Sequence, residues 1–286
     1  MKHHLIIGYG VWSKKILNYL ILNKNYKIIV KTKNKLFNYP SKIEIDNKKI
    51  FDKKNINSIH VCSPLNTHFF YLKKYSWCKR IIVEKPFLEK KSEFTKIKNI
   101  FKNKNIIVNY IDLFNPIFTK TIKDIKSFNI KKVTINYSKR SKLYKKQYDS
   151  IIDWFDHPLS IILTLFKEFP SFDIIKYKST NRKGFQDQLQ IKYFFKNFDL
   201  YINLNLTNKK QRNIEIFYNE YSRKYDFLNN NIKKKNKEIY KNKITSFENL
   251  YFKMESEQKF LNQNVNFHEK IFLEKFKIIK KIKKLK

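Results

Sequence analysis

Hydrophobic positions follow one pattern in the first third of the chain and another in the second half. Early on, short unbroken apolar runs stand between polar stretches: "HLII" (4–7), "YKIIV" (26–30), "SIHVC" (58–62) and "RIIV" (80–83). Such runs, without alternation, predict strands covered on both faces, as in a parallel sheet. Between the first two, Ile16, Leu17, Leu20 and Ile21 recur at helical spacing, with Lys14, Lys15 and Asn18 on the other side. Strand, turn, helix and strand open a doubly wound α/β domain.

The second half alternates instead. Phe198, Leu200, Ile202, Leu204 and Leu206 face one way, and Asp199, Tyr201, Asn203 and Asn205 the other. "QLQIKYFF" (188–195) alternates likewise, and the intervening "KNF" is short enough for a hairpin. "KVTINY" (132–137) and "NIEIFYN" (213–219) predict further strands. The segment "DSIIDWFDHPLSIILTLF" (149–166) has the period of a buried helix through Ile152, Phe155, Leu159, Ile162 and Phe166, with Pro158 at a first turn or kink. The closing stretch "EKIFLEKFKIIKKIKKLK" predicts an amphipathic helix packed on its own domain in preference to a membrane surface. The asparagine- and lysine-rich stretch 229–243 is expected to be a mobile connection. The predicted fold is a Rossmann-type doubly wound parallel sheet domain over 1–115. An α+β substrate-binding domain with a largely antiparallel, open-faced sheet follows over 116–286, leaving room for a homo-oligomer formed through that sheet.

Charge changes this picture less than its size suggests. The formal net charge is +38, which points at first to nucleic acid. The bias extends beyond charge, however: Lys, Asn, Ile, Phe and Tyr are abundant, alanine is absent, and only 3 glycines occur. Arginine, the better phosphate ligand, appears only at Arg80, Arg140, Arg182, Arg212 and Arg223. Residues with A/T-rich codons are favoured throughout and the lysines are spread evenly, so base composition accounts for the charge without a specific nucleic-acid partner. The 2 cysteines form no disulfide framework and sit in no metal-ligand spacing. No run reaches the ~18 apolar residues of a membrane span, and the N-terminal run is too short for a signal peptide. A cytoplasmic protein without a metal is the expectation.

With glycine so scarce, Gly8 and Gly10 together in "GYGVWS" stand out. The first permits a tight turn after a strand, and the second lets a pyrophosphate approach the amides of a helix N-terminus. The turn residues Gly8, Tyr9, Gly10, Val11, Trp12 and Ser13 are thus cofactor-binding candidates. Ser13, where a third glycine would stand, is small enough to pack and offers a hydroxyl to phosphate. After the second strand, Thr32 and Lys33 replace the carboxylate that would hold the ribose 2′-hydroxyl of NAD, which favours NADP.

Three ordered motifs, each at a strand end, resemble the Gfo/Idh/MocA oxidoreductase family: Gly8-Tyr9-Gly10, then Ser63-Pro64 with His68, then Glu84-Lys85-Pro86. "VNYIDLFNP" resembles the family's strand leading to Pro116, with Leu113 where an arginine is frequent. Asp153 and His157 match the family's Asp-x-Gly-x-His segment, with Phe155 replacing its glycine. Lys210 and Arg212 resemble a Lys-x-Arg segment of relatives acting on activated sugars. The resemblance implies NADP or NAD as cofactor and a small sugar-like substrate. Lys85 would bind the reacting oxygen, and Ser63, Pro64, Asn66, His68 and Glu84 would line the cofactor. His157 would exchange a proton, and Asp153 would hold substrate or orient the histidine. A salt bridge remains open for Arg212, as does a structural Asp–His pair for His157. The competing readings are a cofactor-binding sensor or scaffold that has lost catalysis, and a basic nucleic-acid binder.

Overall fold

The structure is a computed structural model, and it describes residues 2–32, 43–45, 53–102, 106–127, 129–138, 154–179, 186–205, 210–255 and 264–285. The chain divides into two compact units, Met1–Asn109 with Phe260–Lys270, and Tyr110–Lys259 with Ile271–Lys286.

In the first unit, β1 (Lys2–Ile7), β2 (Tyr26–Lys31), β3 (Ile43–Ile45), β4 (Ile56–Val61), β5 (Ile81–Val83) and β6 (Ile106–Val108) form a 6-stranded sheet in the order β3-β2-β1-β4-β5-β6. Every pairing is parallel. Leu5, Ile6, Ile28, Val30, Ile59, Val61 and Val83 are fully buried, which is why the strands read as unbroken apolar runs. Helices α1 (Val11–Leu20), α2 (His68–Lys74) and α3 (Lys91–Ile100) connect them. The strand order reverses between β1 and β4, and in open α/β sheets the carboxyl ends at such a reversal are where ligands bind.

The second unit holds α4 (Pro116–Ser127), β7 (Lys132–Ser138), α5 (Asp156–Phe166), β8 (Phe172–Ser179), β9 (Gln186–Phe194), β10 (Asp199–Asn205), β11 (Gln211–Phe217), β12 (Ser222–Asp226), β13 (Asn231–Lys234), β14 (Lys237–Lys241) and α6 (Ser246–Glu255). Its 8-stranded sheet runs β14-β13-β12-β11-β7-β10-β9-β8, antiparallel except for β10 beside β7. Leu200, Ile202 and Leu204 enter the core, with Val133, Ile135, Ile191, Ile214 and Ile216 from neighbouring strands. On the opposite face an amide ladder crosses β9, β10, β7 and β11. Gln190 donates to Asn203 (2.8 Å), Asn203 to Asn136 (2.8 Å), and Asn136 to Asn213 (3.0 Å). Pro158 falls in the first turn of α5, where a missing N–H costs nothing. The terminal helix α7 (Val265–Lys283) buries Ile271, Ile278 and Ile282. Among the described residues no helix is long and apolar enough to cross a membrane.

The stretch 229–243 departs from expectation: it is not a loose connection but the β13–β14 hairpin. Lys235 and Asn236 both take positive φ, 45° and 65°, as a two-residue hairpin turn of matching twist requires. Ile232 is buried, and Asn231 donates to Glu238 at 2.6 Å. The Asn115 carboxamide, which caps α4, reaches Asn230 at 2.7 Å and the Phe227 carbonyl at 3.1 Å. A Lys-Asn turn lacks the usual Asn-Gly signal, and flanking lysines hide the alternation.

Four histidines of the first unit are buried, and three of them, His4, His60 and His268, lie away from the loops that follow β4 and β5. His4 Nδ1 lies 2.8 Å from the Ser58 hydroxyl, which lies 3.0 Å from His60 Nε2. His268 Nε2 donates to the Ile106 carbonyl at 3.2 Å. Burial lowers His4 to about 4, helped by the charges of Lys2 and Arg80, and lowers His60 and His268 to about 3. The unfolded chain therefore takes up these protons first. The stability they permit is complete above about pH 6.5 and is lost as pH falls toward the folded values. Each should cost roughly 2 kcal/mol between pH 7 and pH 5. Urea unfolding at the two pH values is expected to show a loss of several kcal/mol, and equal midpoints would contradict neutral burial.

Candidate functional site

At the end of β1 the chain turns through Gly8, whose φ is +92°, a value that strains any residue with a β-carbon. Such a carbon would also lie 2.8 Å from the Cys62 carbonyl oxygen and 3.0 Å from Ser63 Cα. Gly8 is thus required by two constraints at once. Gly10 differs: among the described residues, a β-carbon there would meet nothing within 4 Å. It stands at the start of α1, where among the described residues no side chain caps the helix and the first turn carries no acid. A positive helix end that no described side chain caps, beside a glycine, fits a diphosphate. Lys14 lies over the Tyr9 ring at 5.1 Å and Lys15 over Trp12 at 4.5 Å, while Val11 is exposed. Ser13 is buried and its hydroxyl donates to the Gly10 carbonyl at 2.9 Å, so here it packs the helix onto the turn.

The neighbouring strand ends continue the ladder past the strands themselves. Gly8 N–H donates to the Lys31 carbonyl (2.8 Å), Cys62 to Ile7 (2.8 Å), Glu84 to Val61 (2.9 Å) and Asn109 to Val83 (2.8 Å). This register brings Gly8, Ser63, Glu84 and Lys85 to one sheet edge, with Thr32 following β2 and Lys33 outside the described residues. Pro64 and Asn66 are exposed there, and Lys85 is half-buried. His68 is buried. Its Nε2 lies 2.9 Å from the Ser63 carbonyl, and its Nδ1 lies 3.1 Å from the carbonyls of both Pro86 and Phe87. Burial lowers its pKa against the pull of those carbonyls, so the ring braces the loops after β4 and β5. Asn109 donates to the buried Glu84 carboxylate. Desolvation, then the Glu84 charge, pushes the thiol of the half-buried Cys62 up.

In the second unit, His157 lies in the first turn of α5 and Asp153 lies outside the described residues. The carboxylate found beside His157 is Asp112, which sequence reasoning passed over although it sits between Ile111 and Leu113 in the segment leading to Pro116. Asp112 Oδ2 is 3.4 Å from His157 Nδ1 and accepts the Tyr137 hydroxyl at 2.7 Å. Its Oδ1 accepts Arg212 Nη1 at 3.3 Å. The Arg212 guanidinium lies 5.3 Å over the Trp154 ring, and the Tyr137 and His157 rings stack 6.0 Å apart at 13°. Burial alone would raise Asp112, but Arg212, then His157 and the Tyr137 hydroxyl, hold its carboxyl below the usual range. Burial and the Asp112 charge raise Tyr137, so it is a neutral donor. Arg212 thus forms the salt bridge left open by its sequence. Among the described residues no group of His, Cys, Asp or Glu is arranged to hold a metal ion.

Neither family models nor curated protein sequences match the chain. Solved structures do. UDP-N-acetylglucosamine 3-dehydrogenase GnnA from Acidithiobacillus ferrooxidans matches with a TM-score of 0.75 and 12% identity, over 97% of this chain and 97% of that one. A Gfo/Idh/MocA family oxidoreductase from Vibrio cholerae gives 0.75 and 13% identity over 99% and 100%. The dehydrogenase MviM from Clostridium difficile gives 0.75 and 17% identity over 98% and 99%. The chain therefore has the fold of Gfo/Idh/MocA oxidoreductases.

The two glycines should respond differently to one added methyl. Gly8→Ala is expected to destabilise the fold by about 1–3 kcal/mol through its strained φ. Gly10→Ala should leave the melting temperature unchanged yet weaken a dinucleotide at least ~10-fold, about 1.4 kcal/mol, by filling its seat. Thermal melts with and without NADPH check both.

Proposed function

We propose that the protein is a nicotinamide-dependent oxidoreductase, preferring NADP to NAD, that acts on a hydroxyl or keto carbon of a sugar or sugar derivative. The observation that carries this is the β1–α1 turn, with Gly8 wedged against the backbone of the loop after β4 and Gly10 at a helix start that no side chain caps among the described residues. The shared fold supports the same reading, as does the UDP-sugar dehydrogenase among the structural neighbours. A nicotinamide bound there supplies the hydride acceptor or donor.

The chain's own residues have distinct tasks. The amides opening α1 bind diphosphate, and Thr32, with no carboxylate from Tyr26 to Thr32, tolerates a ribose 2′-phosphate. The Lys85 ammonium holds the reacting oxygen and stabilises negative charge as it develops. His157 accepts the hydroxyl proton in oxidation and returns it in reduction. Asp153 contributes to substrate binding.

A second reading, a cofactor-binding sensor or scaffold, is favoured by one observation: His157 is only 3% exposed and Phe155, in the family's glycine position, is fully enclosed. Single-turnover hydride transfer from NADPH across a panel of sugar and keto substrates separates the two. Turnover is expected in the wild type. Lys85→Met should lose at least ~10³-fold in kcat with NADPH affinity retained. Full activity of that variant would remove the lysine from the mechanism.

A further inference from the structure

We infer that Asp112 is the positioning residue for His157, fixing its ring so that Nδ1 carries the proton and Nε2 the basic lone pair. The inference rests on the proposed function only for its kinetic consequence.

The geometry is restrictive. Asp112 is 3% exposed and accepts at both oxygens, Oδ1 from Arg212 and Oδ2 from Tyr137. Two donors from different strands, β11 and β7, therefore hold the carboxylate in one orientation. The oxygen that takes the Tyr137 hydroxyl is also the one facing His157 Nδ1, 3.4 Å away. No hydrogen bond is made across that separation, and among the described residues Nδ1 has none, but catalytic hydrogen bonds often form or tighten only when a reactant binds. The Tyr137 ring, stacked at 13° on the imidazole, restricts its plane. A carboxylate facing Nδ1 favours the tautomer with the proton there and leaves Nε2 to act as base. A general base that starts in the wrong tautomer cannot accept a proton at the required atom, whatever its affinity for protons.

Asparagine tests this sharply. Asp112→Asn keeps the shape but has one accepting oxygen, and Arg212 requires it. The amide NH2 is then presented toward Nδ1, which favours the Nε2–H tautomer. In the ligand-free full-length protein labelled with 15N-histidine at pH 8, the His157 signals, assigned by their loss in His157→Gln, are expected to show a proton on Nδ1. Asp112→Asn should move the proton to Nε2 and lower kcat by ~10²-fold with KM changed less than threefold. Tyr137→Phe retains the charge and the stacked ring, and should keep the wild-type tautomer. An Nε2–H tautomer in the wild type overturns the inference even if Asp112→Asn fails to fold. An unchanged tautomer or undiminished kcat in Asp112→Asn also overturns it. If the wild type turns over no substrate, the proposed function fails alone, and the tautomer still decides the role of Asp112.

Discussion

The first unit is organised around one close approach of two backbones, the end of β1 against the start of the loop after β4. With Gly8 at φ +92° and its missing β-carbon only 2.8 Å from the Cys62 carbonyl oxygen, the two strand ends converge more tightly than any side chain would allow. That convergence aims the chain into α1, and among the described residues a β-carbon at Gly10 would meet nothing within 4 Å. Everything proposed for the cofactor depends on that bare main chain at the positive end of a helix.

The second unit is organised around a buried charge. Asp112 is removed from water, a cost that Arg212, the Tyr137 hydroxyl and the nearby imidazole offset together. Another buried pair, Lys275 on both oxygens of Asp156 at 2.8 and 2.9 Å, ties the terminal helix to the first turn of α5. The two carboxylates have different surroundings. Asp156 meets a lysine and serves packing, whereas Asp112 faces an imidazole and is placed to act on its protonation.

Much of this architecture was legible from period alone. Unbroken apolar runs marked the parallel strands because both their faces are covered, and strict alternation marked β9 and β10 because one face is not. Gly8 was legible because scarcity made it conspicuous, and its positive φ supplies the reason. His68 was conspicuous for the same cause, but its place as a brace among three carbonyls depends on loops after two different strands. The β13–β14 hairpin was hidden because its turn, Lys235-Asn236, takes left-handed conformations without glycine. Asp112 was hidden for another reason: its partners Tyr137, His157 and Arg212 are distant in sequence and meet only through tertiary packing. The remaining clue was an acid between Ile111 and Leu113.

The central claim is that the Gly8–Gly10 turn receives a nicotinamide dinucleotide, and fluorescence titration of the wild-type protein with NADPH and NADH tests it most directly. Saturable binding is expected, tighter for NADPH because no carboxylate follows β2 to repel a 2′-phosphate. Absence of binding by both would contradict the account, and tighter NADH binding would contradict the role given to Thr32.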